Sequence, residues 1–298
     1  MDTLLGFLRT EQRPAIRSQT LRLLGLLGAL DPYKHKMNTG QIDTESFQLA
    51  PLIPINDSTS EMEQSYEMSP SEMLVNMGTG GTLDDFYPSV AIATLMKIIR
   101  DPTLTRHHTE VVKAVTFIFK ALGIKSVPYI AQVIPSMLNV IRSSEDTFRD
   151  FLFQQLGGLI AIVRQHVRNY LDSIFDLIME FWSVDSPLQP TIILLVENIS
   201  IALGSEFKIY LPQLIPQILQ VLMHDTSRER QVTGKLLIAI QRFGNTLADY
   251  LHLFLPPIVK LFDSQDVPIE IRKQALETIE RYQSYITSLS TFIAHNKI

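Results

Sequence analysis

Residues 129–141 read YIAQVIPSMLNVI, and the same helix is written again as YLDSIFDLIMEFW at 170–182, YLPQLIPQILQVL at 210–222 and YLHLFLPPIVKLF at 250–262. From Tyr129 to Tyr170 is 41 residues, and the steps on to Tyr210 and Tyr250 are 40 each. After every tyrosine the apolar residues fall at offsets 1, 4, 5, 8, 9 and 12, the spacing of a helix that buries one face. Ile134, Leu138, Phe175, Ile215, Leu219, Leu255 and Val259 fill the slots at offsets 5 and 9 and are expected in the core. A further copy begins at Tyr87, 42 residues before Tyr129, with Ala91, Ile92, Leu95, Met96 and Ile99 in the same slots.

A second amphipathic segment follows each of these helices after a polar turn, such as RDPTL from 100 or HDTSRE from 224. Its apolar positions are again regular, as in Leu152, Leu156, Ile160 and Val163 or Leu236, Ile240 and Phe243. Gly123, Gly204 and Gly244 close three of these segments, six residues before the next tyrosine, where glycine can supply a left-handed helix cap. Arg164 stands in that place in the remaining one. Pro135, Pro216 and Pro256 sit at offset 6 and are expected to kink or restart the first helix. Two helices in a period of about 40 residues are the signature of HEAT or armadillo repeats. The expected fold is therefore an all-α, right-handed solenoid. Residues 1–36 would form a partial repeat, 87–287 five repeats starting near Tyr87, Tyr129, Tyr170, Tyr210 and Tyr250, and 288–298 an atypical tail after a last helix from about 267 to 282. Beyond Ile271, Ala275 and Ile279 no following helix is expected to cover the face.

Between Lys36 and Lys97 there is no lysine or arginine, while acidic, Ser, Thr, Pro and Gly residues accumulate. Low hydrophobicity with one sign of charge cannot offset the entropy of ordering, so 37–86 reads as a mostly disordered acidic insert. Ser69, followed by proline, is a candidate phosphosite there. Cysteine is absent, which excludes disulfides, thiolate nucleophiles and cysteine zinc sites. A net charge of −5 gives nucleic-acid binding no electrostatic basis. No uninterrupted apolar run is long enough to span a bilayer.

The search for chemistry returns no catalytic, cofactor-binding or metal-binding residue. GTGGT at 78–82 lies in the acidic insert without the strand and helix that a phosphate-binding loop needs. His107 and His108 are sequence neighbours, which do not share a helix face, so they read as a polar pair in a first turn rather than as ligands. Trp182 and Tyr282 occupy core slots and read as packing.

LGLLGALDPYKHK at 24–36, SEMLVNMG at 71–78, DDFYPSVAIATLMKIIRDPTL at 84–104, VTFIFKALG at 115–123, FRDFLFQQLG at 148–157, EFKIYLPQLIPQIL at 206–219 and DYLHLFLPPIVKLFD at 249–263 together resemble, in consecutive order, the middle HEAT region of the target of rapamycin kinases. The resemblance implies a piece of a very large Ser/Thr kinase of the phosphoinositide-3-kinase-related type, acting in growth signalling. It implies a scaffold that shapes a dimeric complex and docks Raptor-type or Rictor-type subunits and the rest of the kinase chain. ATP and magnesium would belong to a kinase domain elsewhere, so this chain is expected to hold no cofactor and to catalyse nothing. The implied location is the cytoplasm, with recruitment to the nucleus or endomembrane surfaces by partners. Exposed repeat ends are expected to self-associate. The competing reading is a free-standing HEAT adaptor of the importin or phosphatase-scaffold class, gripping a protein partner. A complete enzyme is the third and poorest.

Overall fold

The computed structural model describes residues 2–11, 13–29, 86–183 and 186–295, all helix or turn, with no strand among them. The acidic insert up to residue 85 and Ser69 within it lie outside the described residues. The chain divides into two compact units, 1–136 and 137–298.

In the first unit, α1 (Asp2–Thr10) and α2 (Pro14–Gly28) pair as the sequence suggests, with Pro14 at the first helical position of α2. Helix α2 packs on both α3 (Phe86–Arg100) and α4 (Thr105–Leu122). Two glycines make that approach close. A methyl on Gly25 would lie 2.9 Å from Ala114 Cβ, and one on Gly28 would lie 2.7 Å from both Ala91 Cβ and Ile118 Cδ1. The repeat before the acidic insert is thus seated directly on the repeat after it.

Helix α5 (Ile130–Ser143) carries the chain into the second unit. There α6 (Asp146–Val163), α8 (Gln189–Leu203), α10 (Gln231–Phe243) and α12 (Ile269–His295) pack in succession, each against the next. The first helices of these repeats are α7 (Leu171–Phe181), α9 (Leu211–His224) and α11 (Leu251–Asp263), and α9 packs on α11. This is an all-α fold of HEAT-like helix pairs.

Sequence position and burial agree in part. Tyr129, Ile134, Leu138 and Phe175 are buried; Tyr170, Tyr210, Tyr250, Ile215, Leu219 and Leu255 are half-buried; Val259 is 40% exposed and does not belong to the core. In α9 and α11 the buried stripe runs through offsets 1, 4, 8 and 11: Leu211, Leu214, Ile218 and Val221, then Leu251, Phe254, Ile258 and Leu261. Offsets 5 and 9 stand about 100° around the helix from 4 and 8. Both are buried in α3 and α5, and offset 5 in α7.

The helix joints correct a second expectation. Gly123, Gly204 and Gly244 stand at the C-caps of their helices with φ near +57°, as expected, but with ψ of −129°, −125° and −135°, so the cap is not the left-handed helical one. Those angles are the first central position of a type II′ turn. The chain therefore leaves each helix straight into a 3-10 segment: Gly123–Tyr129, Gly204–Ile209 and Gly244–Tyr250. Arg164 takes the same path into Arg164–Tyr170, at φ 51° and ψ −129°. An L-residue there is strained by about 1–3 kcal/mol. The prolines at offset 6 lie inside continuous helices and do not restart them.

The last helix also differs. It runs on to His295, through the region where a break and a tail are expected. The residue one period after Gly244 is Ser284, so no glycine is present to make the turn. Tyr282 donates its hydroxyl to Ile240 O at 2.7 Å. Ile271 and Ala275 are buried where α12 packs on the preceding α10, with Ile279 half-buried beside them.

One stretch, Pro102–Ser143, is long and apolar enough to pass for a membrane span. It comprises α4, a 3-10 turn and α5 in series, bent at Gly123. Its Val111, Val115, Ile118, Phe119, Val133 and Ile134 are already covered within the fold.

Candidate functional site

Polar side chains recurring at the repeat period are spent between repeats. Thr191 Oγ1 donates to Asp150, 41 positions away, and Arg168 pairs with Glu206. Lys208 pairs with Asp249 at 2.5 Å, and Gln241 Nε2 donates to Thr278 at 3.0 Å. In the first unit Ser89 Oγ and Tyr129 Oη share a bond of 3.1 Å, and Arg100 donates to Ser136 Oγ at 2.9 Å. The opening tyrosines work similarly: Tyr210 stacks on Phe175 of the preceding repeat at 4.7 Å between ring centres. Along the joint edge, Arg168, Glu206, Lys208 and Asp249 form a row of exposed ion pairs, each of little energetic weight.

At the opposite edge the turns within each repeat are built on two devices, an arginine reaching back to the first helix and an aspartate capping the residue two positions on. Arg149 binds Ile141 O at 3.0 Å and sits 4.3 Å from the Phe181 ring. Arg272 reaches back to Phe262 O at 2.9 Å. Asp101 accepts from Thr103 N at 2.8 Å and from Thr103 Oγ1 at 2.6 Å. Asp225 does most: it accepts from Ser227 N and Oγ at 3.1 and 2.6 Å and from Thr233 N and Oγ1 at 3.0 and 2.7 Å. It thereby caps α10 from across the turn. Burial pushes its carboxyl up, but the four hydrogen bonds outweigh burial and hold it below the usual carboxylate range.

This edge carries a cavity of about 410 Å³, lined by the end of α7, the start of α8, the C-terminal half of α9 and the turn before α10. Trp182 and Gln217 are in its wall. The expectation that Trp182 packs in the core holds for its ring, which is 5% exposed, yet its indole N–H has no acceptor. Gln217 stands on what reads as the polar, solvent side of its helix, but its Oε1 is buried without a donor. Sequence reasoning had no signal for this pairing, because the two residues lie in different repeats.

His107 is buried, with Nδ1 unpartnered, and burial first, then the charges of Arg17 and Arg106, lower its pKa. His108 Nε2 instead meets Asp101 O at 3.1 Å. The pair is thus split between two environments. Among the described residues no three His, Asp or Glu side chains gather as metal ligands.

Residues 1–164 match the family described as serine/threonine-protein kinase mTOR domain. The chain is similar to serine/threonine-protein kinase mTor of Drosophila melanogaster, 54% identical over 297 residues that cover 99% of this chain and 12% of that protein. It is similar to serine/threonine-protein kinase TOR of Arabidopsis thaliana, 35% identical over 297 residues, 94% of this chain and 11% of that protein. It therefore spans about a tenth of the length of these curated relatives. A chain in a solved structure of Kap95p and RanGDP matches with a TM-score of 0.55 over 99% of this chain and 34% of that one, at 13% identity. That likeness concerns the importin-like helical-repeat fold alone.

Proposed function

The chain belongs to the target of rapamycin family of serine/threonine kinases, and from that premise we propose that it is a non-catalytic scaffold segment, stiffened by its repeats and presenting the turns within them to protein partners. The observation that carries the reading is the division of labour between the two edges. Polar groups that recur with the period are spent joining one repeat to the next, as in the Thr191–Asp150 and Arg168–Glu206 contacts. The turns within the repeats vary more from one to the next and are left to present a distinctive surface. The partners would be Raptor-type or Rictor-type subunits and the remainder of the kinase chain, with ATP and magnesium bound elsewhere in the full-length protein. The setting would be the cytoplasm, with recruitment by partners to the nucleus or to endomembranes. Phe7, Leu23 and Leu26, exposed on α1 and α2, would drive self-association of the isolated chain.

Calorimetry of the 298-residue chain with magnesium-ATP, together with a kinase assay, tests the non-catalytic half of the reading. Neither heat of binding nor phosphate transfer is expected, and either one overturns it. Deleting the segment from a full-length relative tests the other half. Loss of co-purifying Raptor-type or Rictor-type subunits is expected, and an assembly that forms undiminished overturns the docking role.

A further inference from the structure

One face of the first unit is both basic and apolar. Along α4, Arg106, Lys113, Phe117 and Lys120 are all exposed, and at about 100° per residue they fall within one stripe about 60° wide. Glu110, the one acid on that stripe, is tied to Lys113 Nζ at 2.9 Å. Among the described residues Arg106 and Lys120 have no carboxylate partner. Helix α2 adds Arg22 and Leu26, also exposed. Gly28 meets Ala91 of α3, and Leu26 stands about 160° around α2 from it, turned away from α3. Gly25 and Ala114 bring α2 and α4 into contact, so the two exposed stripes lie side by side, on the side of that seam away from α3.

The chain contains a segment of matching chemistry that is tethered beside this face. Residues 61–77, EMEQSYEMSPSEMLVNM, interleave Glu61, Glu63, Glu67 and Glu72 with methionines, and no lysine or arginine occurs between Lys36 and Lys97. The stretch that carries it leaves after α2 and re-enters at Phe86, the start of α3. Both points lie at the Ile118 end of α4, because Gly28 approaches Ile118 and Ala91 together. Residues 78–85 alone can span about 27 Å, enough to round a helix about 10 Å across. Methionine packs readily on irregular apolar surface. We propose that the face formed by α2 and α4 docks the chain's own acidic, methionine-rich segment 61–77, its glutamates pairing with Arg22, Arg106, Lys113 and Lys120 and its methionines covering Phe117 and Leu26. Exposed ion pairs are individually weak, but a tether at both ends supplies an effective concentration of about millimolar order, so several together hold the segment in place.

The chain has no cysteine, so Ser65→Cys and Ala121→Cys can carry nitroxide labels, one in the segment and one at an exposed site next to Lys120. Double electron–electron resonance on the 298-residue chain, diluted with unlabelled chain so that only intramolecular pairs count, reads the distance between them. A single narrow peak is expected. Lys113→Glu with Lys120→Glu should replace it by a broad spread, and adding Glu63→Lys with Glu67→Lys should restore it. About 1 M salt, where the Debye length is about 3 Å, should also abolish the peak. Both lysines are exposed, so the urea midpoint should stay unchanged in the variants. A broad spread before any charge is reversed overturns the proposal, and so does a narrow peak that survives the lysine reversals. A peak seen only without dilution assigns the face to a second copy of the chain and overturns it too. Failure here leaves the scaffold reading in place, because that reading concerns the turns.

Discussion

The two edges of the repeats solve the same problem, reversing a helix, in opposite ways. At the joints between repeats one backbone path is used four times among the described residues: a positive-φ residue, a 3-10 segment and a tyrosine leading the next helix. At the turns within repeats two devices alternate: Asp101 and Asp225 each accept from the N–H and hydroxyl two residues on, while Arg149 and Arg272 each donate to the carbonyl at the same slot of the first helix, Ile141 or Phe262, and Asp225 alone adds the bonds to Thr233. A feature that recurs with the period serves the period. A feature that appears once is available for something else.

The largest test asks whether the periodic core is placed correctly. Leu214→Asp buries a carboxylate at a fully buried position with no partner and should destabilise the second unit by about 4 kcal/mol or more. Ile215→Asp, at a half-buried site, should cost about 1–2 kcal/mol. Urea unfolding followed by Trp182 fluorescence reads both, and equal costs would refute the rotated stripe. At the joints, Gly204→Val places a β-branched residue at φ 57° and ψ −125° and should lose about 3 kcal/mol by the same assay. At the turns, Asp225→Ala frees two backbone and two hydroxyl donors and should cost about 2 kcal/mol. Local melting should be confined to the turn and the first residues of α10, visible as faster amide exchange at Ser227 and Thr233. If Gly204→Val is harmless while Asp225→Ala unfolds the whole unit, the two edges have been assigned backwards.

Two smaller effects sharpen the contrast. Arg164→Gly relieves the one joint built from a strained residue and should stabilise by about 1 kcal/mol, a rise in the urea midpoint at constant slope. His107 is held neutral, its pKa below the ordinary 6.5, by burial and by Arg17, Arg106 and His108. Its unfolded form takes up a proton first as pH falls, so stability should be full above about pH 6.5 and decline as the pH drops towards the lower folded value. Circular dichroism melts at pH 8 and pH 5 should show a smaller difference in His107→Gln than in the unaltered chain.

Much of the fold is legible in the sequence, because helix periodicity and chain reversal leave one-dimensional traces. The recurring Tyr129, Tyr170, Tyr210 and Tyr250 mark where first helices begin, and Gly123, Gly204 and Gly244 mark where second helices stop. Glycine announces a positive φ, yet it does not say which ψ follows, and so the type II′ joints were not readable. The slots at offsets 5 and 9 are apolar in every copy, but how far a neighbouring helix wraps around them is a tertiary matter, which is why Val259 faces solvent. The candidate site was the least legible. Trp182 Nε1 and Gln217 Oε1 are notable only for what fails to bond to them, and a missing hydrogen bond has no sequence pattern.

Arg164 has a mechanical consequence. Repeats coupled only to their neighbours are links in series, so tension applied along the array is borne equally by every link. The four joints share a backbone path and only this one stores strain. Pulled from its ends, the molecule should yield first where α6 hands over to α7, with Arg164 serving as the fuse.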